Sequence, residues 1–174
     1  MYVLIPAYQP DARLPRLILE LHRADPSIKI VVVDDGSGQK FSDIFEASAT
    51  AGAHVISYEN NRGKGYALRE GFTWIRDVAG DLSECVVTAD ADGQHTLNDI
   101  FRVGRTCTDT GTSVLGVREF VGHVPARSRI GNTATSALFW LATGWKLKDT
   151  QTGLRAFPVA LLPALLEVQG DRYE

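Results

Sequence analysis

Ile28-Lys29-Ile30-Val31-Val32-Val33-Asp34-Asp35-Gly36-Ser37 decides the fold. A β-branched run broken only by Lys29 predicts a strand buried on both faces, the kind found in parallel sheets covered by helices on either side. Upstream, Tyr2 to Ile5 is a short apolar run closed by Pro6. Leu14, Leu17, Ile18 and Leu21 then recur at helical spacing until Pro26 ends the helix. Downstream, a helix is expected from about Phe41 to Ala51 with Gly52 as its stop. A strand at Val55-Ile56 and a helix from Tyr66 to Val78 follow, the helix carrying Leu68, Phe72 and Ile75 on one face. Cys85 to Thr88 reads as a strand, Leu97 to Cys107 as a helix and Ser113 to Val117 as a further strand. Such alternation predicts an α/β fold in which a mostly parallel, Rossmann-like sheet is flanked by helices in an αβα sandwich. Beyond it, Glu119 to Ile130 reads as a loop and Asn132 to Thr143 as a helix. Asp149 to Phe157 is polar and then apolar, and Leu161 to Val168 is a final helix. No repeat or linker divides residues 1–174, so one domain is expected.

Composition narrows the function classes. The 174 residues are 44% hydrophobic and 22% charged, enough for one real core. A net charge of -3 with no run of Lys or Arg argues against nucleic acid as a partner. The two cysteines, Cys85 and Cys107, read as buried or free thiols of a reducing compartment. Met1-Tyr2 leads straight into an apolar strand without a basic leader, and the longest apolar stretch, Ala137 to Ala142, is too short to cross a bilayer. A cytoplasmic location is therefore expected. The chain stops at Gly170-Asp171-Arg172-Tyr173-Glu174 directly after an apolar helical segment, the ending expected of a chain shortened at its C-terminus. A membrane anchor is one candidate for the part beyond.

In open parallel sheets, ligands bind beyond the carboxyl ends of the strands, and the informative residues collect there. The fourth strand runs into Thr88-Ala89-Asp90-Ala91-Asp92-Gly93-Gln94-His95. Two carboxylates spaced by one small residue suit Mg²⁺ or Mn²⁺, which favour carboxylate oxygens and share coordination with a substrate's phosphates. In an extended segment residues two apart point the same way, so Asp90, Asp92 and Gln94 are the expected metal ligands. A solvated turn is the competing reading. Asp34-Asp35-Gly36-Ser37 is either a turn capping the next helix or an acid that accepts hydrogen bonds from a base or ribose. Two adjacent acids cannot both cap one helix, which favours the second. Asn61-Arg62-Gly63-Lys64-Gly65 opens a helix, where glycines admit close backbone approach and the helix N-terminus favours an anion. Lys64 is suited to neutralise a nucleotide phosphate, although a plain surface turn reads the same way. Arg118, Arg127 and Arg129, with His123 among them, form either a solvated basic loop or a bidentate phosphate site. His95 and His123 lack a second His at metal spacing and read as polar contacts, His22 and His54 as surface residues. Trp74, Trp140 and Trp145 read as core or interface.

Taken in order, Ile5-Pro6-Ala7-Tyr8, Val32-Val33-Asp34-Asp35-Gly36-Ser37, Asn61-Arg62-Gly63-Lys64-Gly65, Ala89-Asp90-Ala91-Asp92-Gly93-Gln94-His95 and Asp149-Thr150-Gln151-Thr152-Gly153-Leu154-Arg155 resemble the family 2 glycosyltransferases of GT-A fold. The polyprenyl-phosphate (dolichyl-phosphate) hexose synthases are the nearest in pattern, and the resemblance runs from Val3 to Glu174. It implies that Pro6, Ala7, Tyr8 and Asp35 hold the nucleoside. It further implies that Asp90, Asp92 and Gln94 hold Mn²⁺ or Mg²⁺ on the donor diphosphate, and that Arg118 with Arg127 or Arg129 clamps the acceptor phosphate. Family members often follow the first Tyr with Asn-Glu; here Gln9-Pro10-Asp11 follows Tyr8, leaving Asp11 as a shifted nucleotide-binding candidate. The implied reaction is a single inverting displacement that moves a hexose from UDP-glucose or GDP-mannose to a polyprenyl phosphate. Its expected place is the inner face of the cell membrane, as part of cell-envelope chemistry. Asp92, Lys64 and Arg118 form the implied catalytic set. An anionic lipid phosphate needs no general base, whereas a sugar hydroxyl would need one, for which Asp149 is the candidate.

Three rival readings differ in testable ways. A sugar-1-phosphate nucleotidyltransferase would carry a glycine-rich basic loop after its first strand, where this chain has Ala7-Tyr8-Gln9-Pro10-Asp11. A phosphatase with an Asp-x-Asp nucleophile would set that motif after the first strand rather than the fourth. A non-catalytic nucleotide-sugar binding module would bind without turnover.

Overall fold

β1 (Tyr2–Ala7), β2 (Lys29–Asp34), β3 (Ala53–Ser57) and β4 (Cys85–Thr88) are parallel neighbours in a six-stranded sheet of order β3-β2-β1-β4-β6-β5. The computed structural model describes residues 1–116 and 153–167. β1 and β2 bury almost every side chain, as their unbroken apolar runs require. Val3 and Ile5 face α1 (Arg13–Ala24), α2 (Ser42–Thr50) and α4 (Leu97–Thr110), in a core with Leu14, Ile18, Leu21, Phe45 and Ile100. Tyr2 and Leu4 face the other way, onto Phe72 and Ile75 of α3 (Lys64–Val78) and Leu162 of α5 (Leu162–Glu167). The alternation along one strand thus fills two separate cores.

The sheet departs from a purely parallel one at one edge. β6 (Arg155–Pro158) runs antiparallel to β4, and the two-residue β5 (Val114–Leu115) is antiparallel to β6. β6 falls within the stretch read from sequence as polar and then apolar. Four residues leave too short a pattern to separate a strand from a loop. α3 starts at Lys64, two residues before the expected Tyr66, and α4 continues to Thr110 rather than stopping at Cys107. Gly111 then takes φ +63°, the left-handed turn that ends a helix. Cys85 and Cys107 are buried free thiols, and burial pushes the Cys107 thiol up to about 11. His22 is half-buried rather than a surface residue, with its Nδ1 enclosed and unpartnered. Among the described residues, no helix is long and apolar enough to cross a membrane.

Chain order reverses beside β1, since β2 and β3 lie on one side of it and β4 on the other. That reversal opens a crevice beyond the carboxyl ends of β1 and β4. The loops after β1, β2, β3 and β4 all rise on that edge.

Candidate active site

Asp90 sits just past the end of β4, at the mouth of the crevice, and three other elements meet its carboxylate. Lys64, the first residue of α3, donates from Nζ to Oδ1 at 2.5 Å. His95, in the loop before α4, bonds Oδ2 through Nε2 at 3.1 Å. The backbone of Gly153 closes the third side so tightly that a Cβ there would overlap both carboxylate oxygens. The Gly153 carbonyl is itself held by Thr88 Oγ1 at 2.8 Å, which ties the start of β6 to the end of β4. The hydrogen bond from His95 and the Lys64 ammonium overcome partial burial and hold the Asp90 carboxyl well below the usual carboxylate range. Asp90 is therefore ionised throughout the physiological range.

The backbone that carries Asp90, Asp92 and Gln94 is not the expected extended segment. β4 ends at Thr88 and the chain turns over residues 91–92, with Gly93 at φ +69°. Asp92 Oδ1 accepts from the Gln94 backbone N–H at 3.0 Å, and Asp92 lines a cavity of about 310 Å³ with Arg13, Arg16 and His95. The two acids thus share a loop, with His95 beside both. Among the described residues, no group of three or more His, Cys, Asp and Glu could hold a metal unaided. This donor set fits Mg²⁺ or Mn²⁺ in the mode where one or two carboxylates share the ion with phosphates and water.

Asp35 is held by its own chain. It is 2% exposed, and each carboxylate oxygen takes two donors from the loop after β3. Tyr58 Oη (2.7 Å) and the Arg62 N–H (2.8 Å) reach Oδ1; Asn61 Nδ2 (3.0 Å) and the Gly63 N–H (2.9 Å) reach Oδ2. A carboxylate offers about four acceptor sites, so the chain itself fills them. The turn is made by the neighbouring acid, Asp34, whose Oδ1 accepts from the Ser37 N–H at 2.8 Å. Gly36, at φ +68°, lies so close to the Asn60–Asn61 backbone that a side chain has no room. The two loops are clasped together, and the clasp sets the start of α3 from which Lys64 reaches Asp90. Burial, followed by the Asp35 contact, pushes the Tyr58 hydroxyl far above its ordinary value, so it stays a donor.

The remaining expected residues are dispersed. Ala7 and Pro6 close β1, and the Ala7 carbonyl accepts the Asp35 N–H at 2.9 Å. Tyr8 is 53% exposed beside them, where a planar ligand can lie against it. Arg62 stacks on Tyr66 with its guanidinium carbon 3.5 Å from the ring centroid. Asp11 is turned toward α1, where it receives the Arg13 side chain and backbone N–H. Arg118, Arg127, Arg129, His123 and Asp149 lie outside the described residues. Reasoning from sequence left Tyr58, Thr88 and Gly153 without a role. Gly153 and Thr88 each lay at a quoted motif, Asp149 to Arg155 and Thr88 to His95, while Tyr58 carried no signal.

An acidic loop, a lysine and a helix N-terminus stand together at the reversal of a doubly flanked sheet, the architecture of an α/β domain of the GT-A type. The Glycosyl transferase family 2 model matches residues 2–163, and the chain belongs to that family. It is 29% identical over 197 residues to UDP-N-acetylglucosamine–dolichyl-phosphate N-acetylglucosaminyltransferase of Methanococcus voltae, covering 100% of this chain and 76% of that protein. It is 29% identical to polyprenol monophosphomannose synthase of Mycolicibacterium smegmatis, covering 89% of this chain and 60% of that protein. The fold matches glucosyl-3-phosphoglycerate synthase of Mycobacterium tuberculosis, solved with Mn²⁺, UDP-glucose and phosphoglyceric acid. That likeness has a TM-score of 0.65 at 20% identity over 92% of this chain and 57% of the other. A 4-diphosphocytidyl-2C-methyl-D-erythritol synthase also shares the fold, at TM-score 0.57 and 16% identity over 98% of this chain and 81% of that one. Proteins of different names thus share the fold, and the family match is what assigns this chain.

Proposed function

We propose that the chain moves a hexosyl unit from a UDP- or GDP-linked donor to a polyprenyl phosphate by one inverting displacement at the anomeric carbon. The observation that carries this is the convergence of Lys64, His95 and Gly153 on Asp90 at the sheet's reversal point. The lipid-phosphate acceptor is supported by the names of both relatives given above.

On this reading, the nucleoside lies over Pro6, Ala7 and the exposed Tyr8 ring, and the diphosphate extends toward Asp90 and the N-terminus of α3. Asp35 acts through the loop it clasps. Asp90 and Asp92, with Gln94, would hold Mn²⁺ or Mg²⁺, which supplies charge neutralisation for the departing diphosphate. Lys64 brings a positive charge to the same leaving group, and the first amides of α3 favour an anion there. The acceptor phosphate is already anionic at neutral pH, so no carboxylate need remove a proton from it. Arg118 with Arg127 or Arg129 positions it. A hydroxyl acceptor would instead call on Asp149 as base. Action on a lipid phosphate places the reaction at a membrane surface.

Calorimetric titration of the chain with UDP and with GDP, with and without Mn²⁺, tests the donor half. One of the two should bind, and the binding should depend on the cation. Equal binding of either nucleotide with and without Mn²⁺ would defeat the reading.

A further inference from the structure

Two basic side chains meet Asp90, and they differ in how they are held. The His95 side chain, in the loop between β4 and α4, is 4% exposed. The Lys64 side chain is 47% exposed, on a root fixed where Asp35 grips the Gly63 N–H. Asp90 is 26% exposed, and Gly153 blocks its third side. A cation approaching Asp90 meets the charged Lys64 head on Oδ1 and the His95 ring on Oδ2. Withdrawing a buried imidazole would leave polar atoms unpaired in the interior, where no water replaces the lost partner. Swinging an exposed lysine head into solvent costs far less. An ammonium and a divalent cation on one carboxylate also repel each other.

We propose that Asp90 has one permanent partner and one exchangeable partner. His95 fixes the carboxylate's orientation. Lys64 stands in the cation's place and passes to the donor diphosphate when cation and nucleotide arrive together. The proposal rests on the nucleotide site described above. It makes His95 a positioning residue, and it couples the two ligands. Lys64 opposes the cation alone and favours the pair, so each ligand raises the affinity for the other.

The test uses the full chain with Mn²⁺ alone, read by the electron paramagnetic resonance signal of free Mn²⁺, and then UDP or GDP at saturating Mn²⁺. Lys64→Met should bind Mn²⁺ alone about fivefold tighter than the unaltered chain, since a half-exposed ion pair no longer competes. The same variant should bind the nucleoside diphosphate about tenfold more weakly or worse, since a charged contact to it is gone. Opposite signs from one substitution are what a merely structural lysine would not produce. His95→Phe should weaken Mn²⁺ binding in both settings, and His95→Gln, which can still donate to Asp90, should restore most of it. Should Lys64→Met bind Mn²⁺ no tighter than the unaltered chain, the exchange is wrong. Should the unaltered chain bind neither nucleotide with Mn²⁺, the proposed function fails, while the Mn²⁺-only comparison still judges the competition at Asp90. If His95→Phe binds Mn²⁺ as the unaltered chain does, the permanent-partner half falls.

Discussion

Replacing Asp35 with Asn changes one oxygen to an amide nitrogen and nothing in size. In the native loop, Oδ1 receives Tyr58 and the Arg62 N–H, and Oδ2 receives Asn61 and the Gly63 N–H. Whichever way the amide is turned, its NH₂ group faces two donors and both hydrogen bonds are lost. Donors left unmade in a buried site cost about 1–3 kcal/mol each; with partial solvent access, the pair should cost about 2–5 kcal/mol. A domain of this size has about 5–15 kcal/mol in total. At about 2–4 °C per kcal/mol, the melting temperature should fall by roughly 5–15 °C. Differential scanning calorimetry without ligand reads this directly. Diphosphate binding should weaken as well, because the loop that presents Lys64 loosens. An unshifted melting temperature together with lost nucleoside affinity would refute the reasoning, since Asp35 would then be serving a ligand and not the loop.

Three further outcomes are expected. Gly153→Ala drives a methyl group into the Asp90 carboxylate; overpacking of this kind costs about 1–3 kcal/mol, and Mn²⁺-dependent nucleotide binding should fall far more than the melting temperature implies. Arg118→Ala should abolish transfer to a phosphate acceptor while leaving nucleotide-sugar binding intact, and unchanged transfer would remove Arg118 from the acceptor site. Glu84 supplies the pH dependence. Burial raises its carboxyl, but the Met1 ammonium at 2.8 Å and Lys29 at 2.9 Å outweigh this and leave it below its ordinary 4.5. Its stabilisation is thus fully present above pH 4.5 and is lost as pH falls through the lower folded value. Acid unfolding of Glu84→Gln should show a shallower slope in that window, and an identical slope would remove Glu84 from the account.

The strands and helices that dominate the core were legible because their patterns are long. Ile28 to Val33 could hardly be anything but a doubly buried strand, and Leu14, Leu17, Ile18 and Leu21 mark one face of α1. β6 was not legible, because Arg155–Pro158 is too short to carry a period and its pairing depends on β4. The site was legible as a set of motifs and not as a geometry. Asp90 was singled out, yet of its partners only His95 lies in the same motif, while Lys64 and Gly153 come from elements far away in sequence. Asp34 and Asp35 illustrate the same point. Two adjacent acids after a strand look alike on paper, and only the folded loop shows Asp34 making the turn and Asp35 the clasp. The period-two argument for Asp92 failed because the strand ends at Thr88 and a turn follows.

The claim on which the rest depends is sugar transfer through the Asp90 loop. The most direct measurement gives the chain Mn²⁺, a polyprenyl phosphate and a radiolabelled UDP- or GDP-linked hexose, and then follows the label into an organic-solvent extract. Label should enter the lipid phase with one of the donors, should require the lipid phosphate, and should be lost in Asp90→Asn. Label that stays in the aqueous phase with both donors, or that reaches lipid equally well in Asp90→Asn, would contradict it.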